Sequence, residues 1–169
     1  MSILNQLKEP FSAGEIHWRV GTLTKDKTKG TALAYIDARN VMKRLDDVLG
    51  MENWQDEYIT EPPRTVRKTK KGWNGQPDEH YNEQICGRVI CKLSIRIGGE
   101  WITKSDGAGE TNVEGEKGGI SDAFKRAAVK FGVGRYLYYL DTNWYPVDKW
   151  RKFTQQPQLP VWALPKGSK

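Results

Sequence analysis

Three cations stand close together in the segment from Ser121 to Tyr138, whose periodicity predicts one continuous helix. At about 100° per residue, Lys125, Arg126 and Lys130 share one side of that helix. The opposite side is apolar and consists of Phe124, Ala127, Ala128 and Phe131. Cations on a rigid helix, with no catalytic group near them in the sequence, suit the phosphates of a nucleic-acid backbone better than a small substrate. The alternative is an ordinary surface salt bridge, since Asp122 is spaced to pair with Lys125 or Arg126.

A second set of cations lies on a predicted strand over residues 85–97. Side chains four residues apart on a strand are about 13 Å apart, close to the length of about four stacked nucleotides. Arg88, Lys92 and Arg96 are therefore spaced to follow a phosphate backbone. The alternative is the solvated side of an antiparallel sheet, because such sheets alternate apolar and polar residues. The apolar residues of this run are Ile85, Val89, Cys91, Leu93, Ile95 and Ile97.

A third basic element follows Pro62-Pro63 and contains an Asn74-Gly75 pair, which is typical of a hairpin turn. Its cations are Arg64, Arg67, Lys68, Lys70 and Lys71. Three basic elements in one small domain favour a shared groove for a polyanion. We predict that the helix pair forms its floor, the strand cations its wall and the hairpin its outer lip.

Composition agrees with such a partner without requiring it. The chain has 169 residues, with 27 Lys and Arg against 21 Asp and Glu, which gives a net charge of +6. The length predicts one domain, residues 1–141, with an N-terminal oligomerisation segment and a Trp- and Pro-containing tail at 142–169. No apolar run reaches the roughly 18 residues of a membrane span and no signal peptide is evident, so we expect a cytoplasmic protein with reduced Cys86 and Cys91 and no membrane partner.

The elements that must position these cations form an α+β pattern. A helical stripe begins after Asp37 and ends at Gly50, and a strand covers residues 54–60. Gly98-Gly99 returns the strand over 85–97 into residues 100–105. We predict an antiparallel β-meander of three or more strands packed on a long amphipathic helix. The first 34 residues show no clear element, and residues 24–30 have the composition of a mobile loop.

Several aromatic rings could stack on unpaired bases, but aromatic residues are more often buried. We place Trp54, Phe124, Phe131, Tyr138 and Tyr139 in the core. Trp73 is then the one ring expected to be exposed.

Enzymatic functions receive less support from the sequence. A phosphate-binding loop and a complete dinucleotide fingerprint are both missing, and His17 and His80 lack companion ligands, so no cofactor or metal is predicted. The carboxylates that could hold the metal ions of a nuclease are Asp106, Glu110, Glu114 and Glu116. A metal-dependent nuclease or nuclease partner therefore stays the alternative, and an RNA-binding protein is a third.

Three segments resemble the single-strand annealing proteins of the Rad52 and phage Sak type. The first is Tyr35-Ile-Asp-Ala-Arg-Asn-Val-Met42, the second is Asn53-Trp54, and the third is Ser121-Asp-Ala-Phe-Lys-Arg-Ala-Ala-Val-Lys-Phe-Gly132. The similarity runs from about residue 30 to residue 141. Its most specific part is the Asp-x-x-Lys-Arg-Ala-x-x-x-Phe-Gly motif of the third segment.

The resemblance implies a ring of identical subunits that binds single-stranded DNA in a positive groove and anneals complementary strands without ATP, in recombination or break repair. Lys125 and Arg126 match the DNA-contacting pair of the family. The chain departs from the family at Asn40, where Arg39 is the nearest cation, and at Val129, beside Lys130. The short length fits a phage or prophage protein, and a single-strand-binding protein or an exonuclease stays open as a partner.

Overall fold

The computed structural model describes residues 2–109 and 115–167, with the side chains of 115–117 excepted. The strands are β1 (Ile16–Leu23), β2 (Lys29–Ile36), β3 (Trp54–Glu61), β4 (Arg64–Lys70), β5 (Glu79–Ile85), β6 (Arg88–Ile97), β7 (Glu100–Gly109) and β8 (Trp144–Pro146). The helices are α1 (Ile3–Leu7), α2 (Ala38–Leu49) and α3 (Gly115–Lys130), with short 3-10 turns at Ala13–Glu15, Met51–Asn53, Arg135–Tyr139 and Val161–Ala163. The predicted α+β class with antiparallel sheets is confirmed. None of the helices in this part of the chain is long and apolar enough to cross a membrane.

The strands form three antiparallel groups, ordered β1-β2-β8, β3-β6-β7 and β4-β5. The β3–β6 and β4–β5 pairs belong to one long ribbon, because Glu61 lies opposite Arg88 and Arg64 lies opposite Ile85 without a change of register. The ladder is interrupted between them because Pro62 and Pro63 have no N–H to donate. The single strand predicted over 85–97 is therefore two strands, and Ile85 belongs to the hairpin.

The predicted basic hairpin is confirmed as β4 and β5. Asn74 and Gly75 both have positive φ, at 53° and 84°, and the N–H of Gln76 donates to the carbonyl of Trp73 at 3.3 Å. The predicted turn at Gly98-Gly99 is confirmed as well, since these residues have φ of 61° and 88° and β7 pairs with β6 along its whole length.

The core lies where α3 packs against β6 and β7. The predicted apolar side of the helix is buried, and it meets the alternating side chains of β6. These strand residues are Val89, Cys91, Leu93 and Ile95, each fully buried. The helix itself differs from the predicted one over 121–138. It begins at Gly115 and ends at Lys130, after which Gly132 and Gly134 take positive φ, at 102° and 65°, and the chain continues as a 3-10 turn.

The predicted helix after Asp37 is confirmed as α2, with Gly50 at its C-terminus at φ 83°. Val41 and Leu45 are its buried residues. Arg44 of this helix contacts the segment that follows α1. Its Nη1 donates to the Glu9 carbonyl at 2.6 Å, and its guanidinium lies 4.0 Å from the centre of the Phe11 ring.

The first 34 residues contain a hairpin that the sequence did not reveal. β1 and β2 pair from Ile16 opposite Ile36 to Leu23 opposite Gly30, and β8 pairs with the other edge of β2. The polar segment predicted as a mobile loop is a tight turn, in which the Asp26 carboxylate accepts hydrogen bonds from the hydroxyls of Thr24 and Thr28 at 2.6 and 2.9 Å.

Two predictions about aromatic residues are wrong. Tyr138 and Tyr139 are 68% and 70% exposed, because they lie on the 3-10 turn beyond the end of α3 and not on its buried face. Trp73 is exposed as predicted, at 81%, but it is not alone. Other exposed rings in the described ranges are Tyr35, Tyr81, Trp101, Trp144, Trp150 and Trp162.

Candidate nucleic-acid interface

The exposed strip of α3 carries the predicted helix cations. Arg126 and Lys130 are one turn apart and lie on the flank of the helix that faces β7. Lys125 lies on the other flank, where its Nζ is 2.9 Å from Asp122 and 5.8 Å from the centre of the Tyr35 ring. The structure therefore spreads the predicted pair across the helix, with the Arg126 side chain 52% exposed and the Lys125 side chain 25% exposed.

Asp106 on β7 holds two of these cations. Nε and Nη2 of Arg126 are each 3.1 Å from Oδ1 of Asp106, and Nζ of Lys130 is 3.5 Å from Oδ2. The carboxylate also accepts the N–H of Gly107 at 2.8 Å. It is thus oriented by its own strand and bonded to α3 across the edge of the sheet.

Two further cations, which were not predicted from the sequence, lie at the C-terminal end of α3. Lys104 donates from Nζ to the Lys130 carbonyl at 2.9 Å, and Arg135 donates from Nε to the Val129 carbonyl at 2.9 Å and from Nη2 to the Lys130 carbonyl at 2.7 Å. Cations are favoured here because the last carbonyls of a helix have no partner within it. We call Lys104, Arg126, Lys130 and Arg135 the helix-flank cluster.

A sequence signal for Lys104 was present. It stands two residues before Asp106 on β7, opposite the buried Leu93, so it shares the helix-side face of the sheet. Arg135 follows the glycines that end the helix, which is a common position for a cation that caps the last carbonyls.

The strand cations lie on the other face of the sheet. Because Val89, Cys91, Leu93 and Ile95 point toward α3, the residues between them point away from it. Two of the three cations form cross-strand ion pairs, Arg88 with Glu61 at 3.2 Å and Lys92 with Glu57 at 3.5 Å, while Nε of Arg96 donates to the Gly99 carbonyl at 3.3 Å. A single chain therefore does not bring the helix and strand cations onto one face.

The hairpin cations also divide between two faces. The ribbon of β4 and β5 continues beyond β7, which ends at Gly109 opposite Arg88. Alternation places Arg64, Lys68 and Lys70 on one face, where Lys68 pairs with Glu83, and it places Arg67 on the other. Lys71 follows in the connecting loop, which contains the exposed Trp73.

On α2, Asn40 stands where the family has a basic residue, and Arg39 is the neighbouring cation. Arg39 is exposed and forms no hydrogen bond or ion pair with the described residues, whereas Nδ2 of Asn40 donates to the Glu15 carbonyl at 3.2 Å. Arg39 is therefore free to bind an anion, and Asn40 is used within the fold.

The carboxylates considered for a nuclease are only partly described. Asp106 is bonded to cations as above, while Glu110, Glu114 and the Glu116 side chain lie outside the described residues. Within residues 2–109 and 118–167, no group of three or more His, Cys, Asp or Glu is arranged to hold a metal ion. The two histidines have other contacts, His17 with Asp37 at 3.1 Å and His80 with Thr69 at 2.9 Å.

Asp106 makes part of the stability dependent on pH. Burial raises its pKa, but the Gly107 N–H, Arg126 and Lys130 outweigh burial and hold the pKa below its ordinary value. A carboxyl whose pKa is lower in the folded state stabilises above the unfolded-state pKa, and this stabilisation is lost as the pH falls through the folded-state pKa. We expect Asp106→Asn to lower the free energy of unfolding by about 1 to 2 kcal/mol at neutral pH. In urea denaturation the difference from the wild type should shrink as the pH falls below the ordinary pKa of a carboxyl and through the lowered pKa of Asp106; a difference independent of pH would contradict this account.

Comparison with known protein families shows to which family this chain belongs. The sequence profile of the Rad52/22 family of double-strand break repair proteins matches residues 1–154. The chain belongs to the Rad52/22 family. The resemblance predicted over residues 30–141 is therefore confirmed, and the match extends to β1 and past β8.

Two relatives of this Rad52/22 family chain are named single-stranded DNA-binding protein DdrA. The one from Deinococcus deserti is 35% identical over 164 residues, which cover 96% of this chain and 70% of the relative. The one from Deinococcus radiodurans is 30% identical over 166 residues, which cover 96% of this chain and 68% of the relative. No solved structure matches the chain significantly. A phage or prophage origin stays a prediction.

Proposed function

We propose that this chain binds single-stranded DNA through its phosphates and anneals complementary strands, without ATP, in recombination or double-strand break repair. The observation that carries the proposal is the helix-flank cluster, in which Arg126 and Lys130 bond one acid on the exposed flank of α3, while Lys104 and Arg135 bond the carbonyls at its C-terminal end. Membership of a double-strand break repair family and relatives named for single-stranded DNA binding support it.

The cluster is suited to hold a backbone and to leave the bases free. Arg126 and Lys130 are about 6 Å apart along the helix axis, from four residues at 1.5 Å each, which is close to the spacing of neighbouring phosphates in an extended strand. Contacts to phosphates position a strand without reading its sequence. A strand held in this way keeps its base edges available for a complement.

The remaining predicted cations form a second surface in our proposal. Arg39 extends the helix-side path from α2, and the strand and hairpin cations border the path from a neighbouring subunit of a ring. This second set consists of Arg88, Lys92, Arg96, Arg64, Arg67, Lys68, Lys70 and Lys71. In this arrangement residues 1–141 carry the activity and assemble the ring, residues 142–169 are a C-terminal tail, and a single-strand-binding protein or an exonuclease is a partner.

An annealing assay tests the proposal directly. Two complementary labelled oligonucleotides are mixed with the purified chain in EDTA, with and without ATP, and pairing is followed by fluorescence transfer. We expect pairing to be accelerated at least about tenfold over the spontaneous rate, equally with and without ATP, in an assembly whose mass is measured in parallel.

The controls separate the alternatives. Cleavage of the labelled strand in Mg²⁺ would favour the nuclease, and preferential competition by RNA at fixed salt would favour an RNA-binding protein. Spontaneous rates in the presence of a chain that binds DNA would overturn annealing while leaving binding intact.

A further inference from the structure

One acid stands at the centre of the helix-flank cluster. The Asp106 side chain is 22% exposed, and both of its oxygens face cations that the proposed function assigns to DNA. Any effect of Asp106 on DNA binding therefore rests on that proposed function.

The Asp106 carboxylate occupies the position that a DNA phosphate needs. Arginine binds carboxylate and phosphate oxygens with the same N–H groups and similar geometry, so both anions compete for one guanidinium. Here Nε and Nη2 of Arg126 already bond Oδ1 of Asp106, and Lys130 is 3.5 Å from Oδ2. A phosphate that binds these two cations must displace the carboxylate or share them with it.

Asp106 cannot easily turn away from the cations. The N–H of Gly107 fixes Oδ1 at 2.8 Å, and the side chain is held between β7 and α3. The cations are the accessible partners, because the side chains of Arg126 and Lys130 are 52% and 45% exposed, although Lys130 also donates from Nζ to the Ser105 carbonyl. Binding of a phosphate therefore exchanges one ion pair for another, and such an exchange yields less free energy than neutralising an unpaired cation.

We propose that Asp106 is a built-in competitor of DNA phosphates, which weakens the contacts of Arg126 and Lys130 and keeps a bound strand releasable. Asp122 lies elsewhere on α3. It pairs with Lys125, three residues farther along the helix, and its side chain is 52% exposed. Asp106 is thus the acid that sets how tightly the helix-flank cluster holds a strand.

Asp106→Asn tests this inference, because the amide oxygen can still accept the Gly107 N–H while the charge is lost. The probe is a labelled oligothymidylate, whose affinity is measured by fluorescence anisotropy over a range of salt concentrations. We expect about five- to tenfold tighter binding near 0.1 M salt and slower dissociation. The salt dependence of log K should be steeper by about 0.7 for each additional phosphate that the freed cations neutralise.

The matched control is Asp47→Asn, which removes the same charge from an exposed i,i+4 pair with Lys43 on α2. It should change affinity by less than about twofold and leave the salt slope unaltered. Asp106→Ala is a second variant with the same expected direction, and circular dichroism checks that each variant is folded. In an Arg126→Ala/Lys130→Ala background, Asp106→Asn should have no effect on binding.

Failure of this inference differs from failure of the proposed function. Weaker or unchanged binding by both Asp106 variants, with a wild type that binds and an Arg126→Ala/Lys130→Ala variant that does not, would show that Asp106 positions the cations and does not compete. A wild type that does not bind the probe, or an Arg126→Ala/Lys130→Ala variant that binds it normally, would overturn both.

Discussion

Replacing Lys125 and Arg126 together with alanine is expected to weaken binding of single-stranded DNA by about 100-fold and to reduce annealing toward the spontaneous rate. Charge-assisted hydrogen bonds are about twice as strong as neutral ones, and a loss of about 1.4 kcal/mol at each cation corresponds to about tenfold in affinity. The measurement is anisotropy with an oligothymidylate at fixed salt, together with the annealing assay. The mass of the proposed ring should not change, because neither side chain belongs to the buried core.

The loss of DNA binding should depend on where these two cations lie and not on the change in net charge. A matched variant, Lys25→Ala/Lys27→Ala, removes two exposed cations from the β1–β2 turn. We expect it to alter affinity by no more than about threefold at 0.1 M salt, since exposed charges farther than about 10 Å from the strand are screened. Unchanged annealing by Lys125→Ala/Arg126→Ala, in an assembly of normal mass, would remove the helix from the proposed interface.

The two single variants should differ in their effect on stability. Lys125 is three-quarters covered and lies above the Tyr35 ring, so its removal also disturbs packing between α3 and β2. Arg126 is half exposed and bonds only Asp106 among the described residues. The single variant Arg126→Ala is therefore the cleaner measure of a phosphate contact, and Lys125→Ala is expected to lower thermal stability as well.

The elements that could be predicted from the sequence are those in which one local rule is strong. Asp37 and Gly50 bracket α2, Asn74-Gly75 fixes a hairpin turn, and Gly98-Gly99 fixes another. The β1–β2 hairpin was not predicted because its turn is held by side-chain hydrogen bonds of Thr24, Asp26 and Thr28. Composition alone does not distinguish such a turn from a disordered loop.

The end of α3 shows where periodicity misleads. Apolar and aromatic residues continue past Lys130 at helical spacing, which predicted a helix to Tyr138. Gly132 and Gly134 adopt left-handed φ instead, and the tyrosines then face solvent. A glycine permits this conformation without requiring it, so the choice depends on tertiary packing, such as Ile36 against Gly134.

The site could be predicted at the helix and only in part elsewhere. Alternation correctly opposed Arg88, Lys92 and Arg96 to the apolar residues of β6. Packing of α3 on that same apolar side places the strand cations and the helix cations on opposite faces, a consequence that the prediction of one shared groove overlooked. Lys104 and Arg135 depended on the register of β7 and on the position of the helix end, which are both tertiary features.

Phe124→Ala is expected to lower the free energy of unfolding by about 3 to 5 kcal/mol, the largest effect on stability that we predict. Phe124 is 1% exposed, and its ring centre lies 6.0 Å from that of Trp54. Truncation leaves a cavity between α3 and the sheet and removes this aromatic contact. Chemical denaturation monitored by circular dichroism measures the change.

Two further variants decide whether the loss arises from packing of α3. Phe124→Leu keeps most of the buried volume and should lose much less stability, whereas Tyr139→Ala removes a ring that is 70% exposed and should change stability by no more than about 0.5 kcal/mol. Equal losses for Phe124→Ala and Tyr139→Ala would contradict the placement of α3. Because Arg126 and Lys130 lie on this helix, Phe124→Ala should also weaken DNA binding at temperatures near its lowered midpoint, and binding should recover on cooling as the helix packs again on β6 and β7.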